Sequence, residues 1–268
     1  MVDIHCHALY DVDDGSKSLD QTVKMIKMAR EAGYHSLCFT PHYMEDGYKT
    51  SRGILESKLQ IIKEALILEN INDVNLYLGE EVYIFPELAE RLDEVVLLND
   101  SKYILFELPL NERVDYVDEV IYKLQAHGKI PVLAHPERYL QSKEKFSFVE
   151  NLAKKGVLMQ INLNSLSGHY GNDAKKIALK MLKNDMVQFI ATDAHSQAGY
   201  SMAKESINIL RQHVSTEKAF ELLEENPGFA LANLEVKPWN YTISEKSKRA
   251  GNSFLSFMKT VPFLQKIK

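Results

Sequence analysis

Val187-Gln-Phe-Ile-Ala-Thr-Asp-Ala-His195 opens as a buried strand and closes on two side chains that can bind metal. Its apolar run is continuous rather than alternating, as is that of Tyr103-Ile-Leu-Phe106, which is the pattern of parallel strands covered on both faces. Seven short β-prone runs recur along the chain: Val2–Ile4, Ser36–Thr40, Val74–Leu78, Tyr103–Glu107, Pro131–Ala134, Leu158–Asn162 and Val187–Thr192. Helical periodicity fills the gaps, over Leu19–Ala32, Ile54–Glu69, Pro86–Leu92, Tyr116–His127, Phe146–Lys155 and Ala174–Asn184, and again over Met202–Gln212 and Glu217–Glu225 after the last strand. Ser18 and Gln21 form a capping-box pattern at the start of the first helix, and Gly33, Gly128 and Gly156 stand where three helices should stop. Repeated βα units of this kind predict either a (β/α) barrel or a doubly wound sheet.

Composition narrows the class. The 268 residues are 45% hydrophobic and 26% charged, values of an ordinary globular protein with enough chain for a large core. A net charge of −5 gives no footprint for nucleic-acid binding, and none is expected. No run of apolar residues is long enough for a transmembrane helix. The start, Met1-Val-Asp-Ile-His5, has no basic region followed by an apolar stretch, so no signal peptide is expected. Two cysteines cannot build a disulfide framework, which fits a reducing cytoplasm. Charge divides the chain unevenly, because residues 237–268 hold seven Lys or Arg against the single acid Glu245. Two units are therefore expected, a barrel over 1–236 and a basic, aromatic-containing extension over 237–268.

The polar residues share one structural address. His5 and His7 end the first strand and Asp14 lies in the loop after it. His42 follows the second strand, Glu80 and Glu81 the third, and Glu107 closes the fourth. His135 and Arg138 follow the fifth, and Asp193 and His195 the seventh. In a parallel barrel all these strand ends open on one face, where such folds place their chemistry. Side chains alternate along a strand, so His5 and His7 share a face and Cys6 points away; Asp193 and His195 repeat the spacing. Mixed imidazole and carboxylate ligands suit Mn, Fe or Zn, and the supply exceeds the need of one ion, so two or three are expected. Glu80 and Glu81 are adjacent and point apart, which leaves one of them as a ligand and the other as a supporting or solvated carboxylate. His35, His127, His169 and His213 read as structural. Position 12 is Val and position 44 is Met, so neither Cys6 nor Cys38 has the arginine of a cysteine phosphatase loop, and both read as packing residues.

His5-Cys-His7, Thr40-Pro-His42, Gly79-Glu-Glu81, Ala134-His-Pro-Glu-Arg138 and Thr192-Asp-Ala-His195 together resemble the polymerase-and-histidinol-phosphatase (PHP) superfamily. Asp3-Ile-His-Cys-His7 with Asp11-Val-Asp-Asp-Gly15, Leu98-Asn-Asp-Ser-Lys-Tyr103 and Ala134-His-Pro-Glu-Arg-Tyr139 are similar to its capsule-biosynthesis branch, the CpsB-type bacterial metal-dependent protein-tyrosine phosphatases. The resemblance runs over roughly residues 1–235. It implies a distorted (β/α)7 TIM-like barrel of the PHP fold, holding three divalent ions, with manganese first and iron or zinc as alternatives. Carried over by motif, one ion takes His5, His7, Glu81 and Asp193. A second shares Glu81 and adds Glu107 and His135. The third takes Asp14, His42 and His195, and Arg138 matches the phosphate-binding arginine. Glu81 aligns with the bridging glutamate and Glu80 does not. Relatives commonly carry a second arginine after the Asp-x-His motif, where this chain reads Ser196-Gln-Ala-Gly-Tyr200; Arg113 and Lys49 are candidate substitutes.

The implied activity is hydrolysis of phosphotyrosine by metal-activated hydroxide, on a tyrosine-phosphorylated protein such as a membrane-associated bacterial tyrosine kinase that regulates capsule or exopolysaccharide synthesis. The rivals are another PHP phosphoesterase, such as a histidinol-phosphate phosphatase or a nuclease, an amidohydrolase-type metallohydrolase, and a metal-stabilised docking protein. Residues 237–268 read first as an extension that is flexible or packed on the barrel. The second reading is an interfacial segment giving peripheral membrane contact at the inner face, which Pro262 counts against as one continuous helix.

Overall fold

The computed structural model describes residues 1–139, 142 and 144–241. Among the described residues there are nine strands: β1 (Val2–Cys6), β2 (Ser36–Phe39), β3 (His42–Tyr43), β4 (Asn75–Leu78), β5 (Glu81–Tyr83), β6 (Tyr103–Glu107), β7 (Ile130–Ala134), β8 (Leu158–Asn162) and β9 (Phe189–Ala191). Every pairing is parallel, in two sheets of order β1-β2-β4 and β3-β5-β6-β7-β8-β9. The two strands beyond the seven expected are continuations of others. Pro41, which has no N–H to give the ladder, separates β2 from β3, and Gly79-Glu80 separates β4 from β5. Backbone bonds cross both breaks, from Gly79 N to Phe39 O (2.9 Å) and Glu81 N to Pro41 O (3.1 Å). Seven staves result.

The ring closes between β9 and β1. Asp193 N donates to His5 O (2.8 Å) and His7 N to Ala194 O (3.0 Å). The Asp3 carboxylate staples the same seam, accepting from Thr192 N (3.0 Å), Thr192 Oγ1 (2.6 Å) and the Tyr200 hydroxyl (3.0 Å). The fold is thus the distorted (β/α)7 barrel.

Helices α1 (Leu19–Glu31), α2 (Arg52–Leu68), α3 (Val117–Ala126), α4 (Ser147–Lys154), α5 (Asn172–Lys183) and α7 (Ala203–His213) surround it, the last preceded by a short α6 (Gln197–Ser201). At the start of α1, Ser18 Oγ accepts from Gln21 N (3.2 Å), while the Gln21 side chain reaches Lys17 N (3.0 Å) rather than the cap residue itself. The predicted helix Pro86–Leu92 is only a 3₁₀ turn at Leu88–Glu90. Its apolar residues Leu88 and Ala89 are buried, which explains the periodicity, but the segment is too short to propagate a helix. The predicted helix Glu217–Glu225 is α8 (Thr216–Phe220) running into a π turn at Glu221–Glu225, and the helical backbone continues past it as α9 (Asn226–Leu231).

The lumen of the barrel holds its own apolar cluster, including Val2, Ile4, Leu105, Val132, Leu158, Phe189 and Ala191. Chain from α9 to Val236 plugs its lower mouth: Tyr103 Oη donates to Leu234 O (2.6 Å) and accepts from Val236 N (2.9 Å). The first residues of the basic extension continue on the barrel, with Trp239 buried and its Nε1 donating to Asn184 O (2.9 Å). The rest of the extension, 242–268 with Pro262, lies outside the described residues. Among the described residues no helix is long and apolar enough to cross a membrane.

Candidate metal centre

A one-residue irregularity in β1 turns the strand toward chemistry. Asp3 pairs with Leu37 and Cys6 with Phe39, so β1 holds an extra residue between them. Val2 and Ile4 therefore face the lumen, and after the bulge His5 and His7 face it too, while Cys6 joins the outer apolar layer. The expected sharing of a face by the two histidines holds.

His5 and His7 meet Glu81 from β5 and Asp193 from the end of β9. His5 Nε2 lies 3.2 Å from His7 Nε2, 3.2 Å from Glu81 Oε2 and 3.4 Å from Asp193 Oδ1. His7 Nε2 lies 3.3 Å from Glu81 Oε2 and 3.4 Å from Asp193 Oδ1. These are five of the six edges of a tetrahedron whose corners all lie within 4.8 Å of one another, and its centre is about 2.0–2.4 Å from each corner, near the length of a metal–nitrogen or metal–oxygen bond. The tautomers agree. Gln160 Oε1 sits 2.8 Å from His5 Nδ1, and Asp13 Oδ2 sits 2.7 Å from His7 Nδ1; both oxygens only accept, so both Nδ1 atoms carry protons. In the neutral rings both Nε2 lone pairs then point at the same spot, where Glu81 Oε2 is also without a hydrogen-bond donor. The four carboxylate and imidazole atoms fit a divalent cation. Burial opposes a proton on His5, yet the facing Glu81 and Asp193 carboxylates hold its pKa up at about 9, a measure of the positive charge the spot demands.

Two further groups of donors adjoin the first. His7, Asp14, His42 and His195 offer ligand atoms within 4.8 Å of one another, as do His42, Glu81 and Glu107. His135 Nε2 reaches Glu81 Oε1 at 2.8 Å and Glu107 Oε2 at 3.7 Å. A hydrogen bond from His195 lowers Asp14 to about 2. All nine residues carried over as ligands are thus at one place, with Glu81 central. The grouping differs from the motif reading in two details: His7 also adjoins the Asp14 group, and His42 stands as near Glu81 (3.1 Å) and Glu107 (3.1 Å) as to Asp14 (3.6 Å).

Backbone conformation aims several of these side chains. His135 and Asp193 both adopt left-handed conformations, with φ of 33° and 52°, a region uncommon for non-glycine residues and, elsewhere among the described residues, held here by Asn and Asp. The loop after β1 folds back so tightly that a Cβ on Gly15 would lie 2.1 Å from His7 O, and this approach seats Asp13 against His7. Glu80 faces away, buried, and accepts from Val96 N at 2.7 Å; burial pushes its carboxyl up to about 8. Its burial excludes the solvated alternative, and the partner it holds is the backbone of Val96.

Sequence reasoning missed three supporting residues. His5 Nδ1 donates to Gln160 Oε1, Gln160 Nε2 donates to Asn162 Oδ1 (3.0 Å), and Asn162 Nδ2 donates to Asp193 Oδ2 (2.6 Å). This chain of bonds holds two of the four donor groups in orientation, and Asp13 holds a third. Gln160 and Asn162 were signalled by polar residues at alternate positions of an otherwise buried strand, and Asp13 by the Asp-Val-Asp-Asp-Gly loop.

The centre opens into a cleft of ≈ 380 Å³ that Arg138 also lines. Arg138 Nη1 donates to Asp193 Oδ2 (2.8 Å), and its planar guanidinium lies over the Tyr170 ring at 4.5 Å, a cation–π contact that helps hold the fork in place. Among the described residues it is the one arginine or lysine on the cleft wall. The two candidate substitutes are occupied elsewhere: Lys49 pairs with Glu94 at 2.9 Å, and Arg113 with Glu144. His35 bonds Glu224 (2.7 Å) and His127 bonds Lys123 O (2.8 Å), as structural histidines should.

Residues 1–232 match the family model described as capsular polysaccharide synthesis, CpsB/CapC. The chain belongs to the CpsB/CapC family. It is 36% identical over 198 residues to the Staphylococcus aureus protein CapC, covering 73% of this chain and 77% of that one. It is 32% identical over 239 residues to the tyrosine-protein phosphatase YwqE of Bacillus subtilis, covering 88% and 93%. A solved structure from work on B. subtilis YwqE and Streptococcus pneumoniae CpsB, described as unique metal-dependent tyrosine phosphatases, superposes with a TM-score of 0.83 at 31% identity, covering 89% of this chain and 97% of that one. Membership of the CpsB/CapC family, the PHP-type barrel and the donor cluster therefore coincide in one chain.

Proposed function

We propose that this chain is a metal-dependent protein-tyrosine phosphatase, using three divalent ions, with manganese the first candidate. The observation that carries the reading is the tetrahedron of His5, His7, Glu81 and Asp193 with Arg138 beside it at the floor of an open cleft. Electrostatics explain why cations belong to it. Glu81, Glu107, Asp14 and Asp193 face the cleft against one arginine. Like charges 4 Å apart repel by about 4 kcal/mol at an effective dielectric of 20, so this floor would reject a phosphate dianion by itself. Bound divalent ions supply the missing positive charge and acidify water enough for hydroxide to be available near neutral pH.

His5, His7, Glu81 and Asp193 would hold one ion, Glu81, Glu107 and His135 a second, and Asp14, His42 and His195 a third. Glu81, with oxygens facing both His5 and His135, would serve both of the first two ions. Gln160, Asn162 and Asp13 fix the ligand rings and carboxylates in advance, so little reorganisation accompanies the reaction. Arg138, permanently charged and held by Tyr170 and Asp193, offers its remaining N–H donors to the non-bridging phosphate oxygens. A tyrosine phenol has a pKa of about 10, so the leaving group asks for only modest protonation.

The physiological substrate proposed is a tyrosine-phosphorylated protein of polysaccharide synthesis, a membrane-associated tyrosine kinase in the first instance, met in the cytoplasm. Support comes from the family's capsular role and from relatives named tyrosine-protein phosphatases. The basic extension is proposed to bring the enzyme to anionic lipid. Replacing Lys246, Lys248 and Arg249 by Gln in the full chain should then reduce sedimentation with anionic vesicles.

The decisive test is manganese-dependent phosphate release from a phosphotyrosine peptide, with a phosphoserine peptide and histidinol phosphate in parallel. Preference for phosphotyrosine, abolished by chelator, supports the reading. Turnover of histidinol phosphate alone would keep the metal centre and move the substrate class.

A further inference from the structure

The cleft above the metal centre is chemically two-sided. Arg138 and Asp193 come from the ends of β7 and β9. On the other side, Met44 and Tyr48 follow β3, Tyr83 ends β5, and Leu108 and Leu110 follow β6. Strands β3, β5 and β6 are neighbours, so these apolar and aromatic side chains line one side of the cleft, beside His42, Glu81 and Glu107 of the same strands. Tyr48 is 38% exposed, and its ring lies nearly parallel to His42, 15° between planes with centroids 6.0 Å apart.

The turn that carries Met44 and Tyr48 is held by more than its own backbone. Internally, Met44 N donates to Tyr48 O (2.6 Å) and Gly47 N to Met44 O (3.1 Å). From outside, the Glu94 carboxylate accepts from Tyr43 Oη (3.0 Å), Lys49 Nζ (2.9 Å) and Arg91 Nη2 (2.8 Å), and Arg91 pairs with Glu45. Tyr43 and Lys49 flank the turn, so one acid grips both of its ends. Arg91 and Lys49 also stack on Phe85 (5.1 Å) and Tyr43 (5.4 Å). An isolated surface ion pair contributes little, but a shared acid with several partners fixes geometry.

The geometry points to a dedicated aryl subsite: Tyr48 and Tyr83, backed by Met44, Leu108 and Leu110, receive the aromatic ring of the substrate while its phosphate lies over the metal centre. Glu94 is the positioning residue that holds the Tyr48 turn in place. This rests on the phosphatase reading and adds to it the residues that favour an aryl over an alkyl phosphate. A phosphoserine side chain is too short to bring carbon against this wall when its phosphate is seated, whereas a phenyl ring extends along it and removes apolar surface from water.

The test is steady-state kinetics of the full-length, metal-loaded protein on a phosphotyrosine peptide, with the inhibition constant of inorganic phosphate and the bound metal measured on each variant. Tyr48→Ala should raise KM about tenfold, with the phosphate inhibition constant and metal content unchanged, while Tyr48→Phe stays within about twofold. Glu94→Gln should raise KM by roughly threefold without lowering kcat, since salt-screened contacts hold the turn. An unchanged KM in Tyr48→Ala overturns the subsite. So does a parallel rise in the phosphate constant or a loss of metal, because either places Tyr48 at the metal centre. A wild-type protein inactive on the phosphotyrosine peptide overturns the phosphatase reading itself, and the subsite with it.

Discussion

The two halves of the barrel lumen are made from the same seven staves and opposite materials. In the lower half Val2, Ile4, Leu105, Val132, Leu158 and Phe189 interlock as hydrocarbon, closed off by Val236. In the upper half the same strands end in His5, His7, Glu107, Gln160, Asn162 and Asp193, all buried. Below, each side chain is stabilised by removal from water whatever its neighbour. Above, each buried polar atom needs a specific partner, and the partners trace chains such as His5–Gln160–Asn162–Asp193. The lower half can therefore accept approximate substitutes at some loss of stability, while the upper half loses function without losing the fold.

Four substitutions probe that contrast, in descending order of effect. Glu81→Gln keeps the shape and removes the charge shared by the donor groups, and turnover should fall by roughly 10³-fold or more, about 4 kcal/mol, with a cooperative thermal transition retained. A variant that kept wild-type turnover would remove Glu81 from the centre. Arg138→Ala should lower kcat by about 10²- to 10³-fold while bound metal, measured by elemental analysis, is unchanged. Loss of metal in this variant would show Arg138 to be a strut for Asp193 instead of a phosphate ligand. Gln160→Leu should weaken metal affinity by about 10- to 100-fold in a chelator competition, through a residue that would touch no ion itself and acts by its hydrogen bond to His5. Equal affinity would mean that β8 only fills space. Phe189→Leu, in the lower half, should cost about 1 kcal/mol in denaturant unfolding and leave kcat per folded molecule as it was. A changed kcat there would break the division between the halves.

Much of the upper half is legible in the amino-acid order, because its residues sit where strands end. The seven apolar runs coincide with the seven staves, and the polar residues after them identify the catalytic mouth. What escapes is of two kinds. Short elements, such as β3 and β5, carry too few residues for a period to appear; His42 and Glu81 therefore read as loop residues although each lies in a strand. Supporting residues, such as Gln160, Asn162 and Asp13, carry no metal-ligand signature of their own, and their role depends on what lies opposite. The Pro86–Leu92 segment fails for the reverse reason, since burial of Leu88 and Ala89 imitates one turn of an amphipathic helix.

The alternation of strand and helix, the common face of His5 and His7, the placement of Cys6 on the opposite face and the residue types at each strand end all follow from the order of residues. Each is a matter of local periodicity, which operates over a few positions. Closure of the barrel, by contrast, is what brings Glu81 to 3.2 Å from His5 and 3.3 Å from His7, turns both histidines into the lumen through a bulge in β1, and delivers Asp193 opposite them. Those distances join β5 and the end of β9 to β1, residues far apart along the chain, and no local propensity encodes them. The same closure makes the charges costly without a cation, because it carries Glu81, Glu107 and Asp193 out of bulk water toward one cleft.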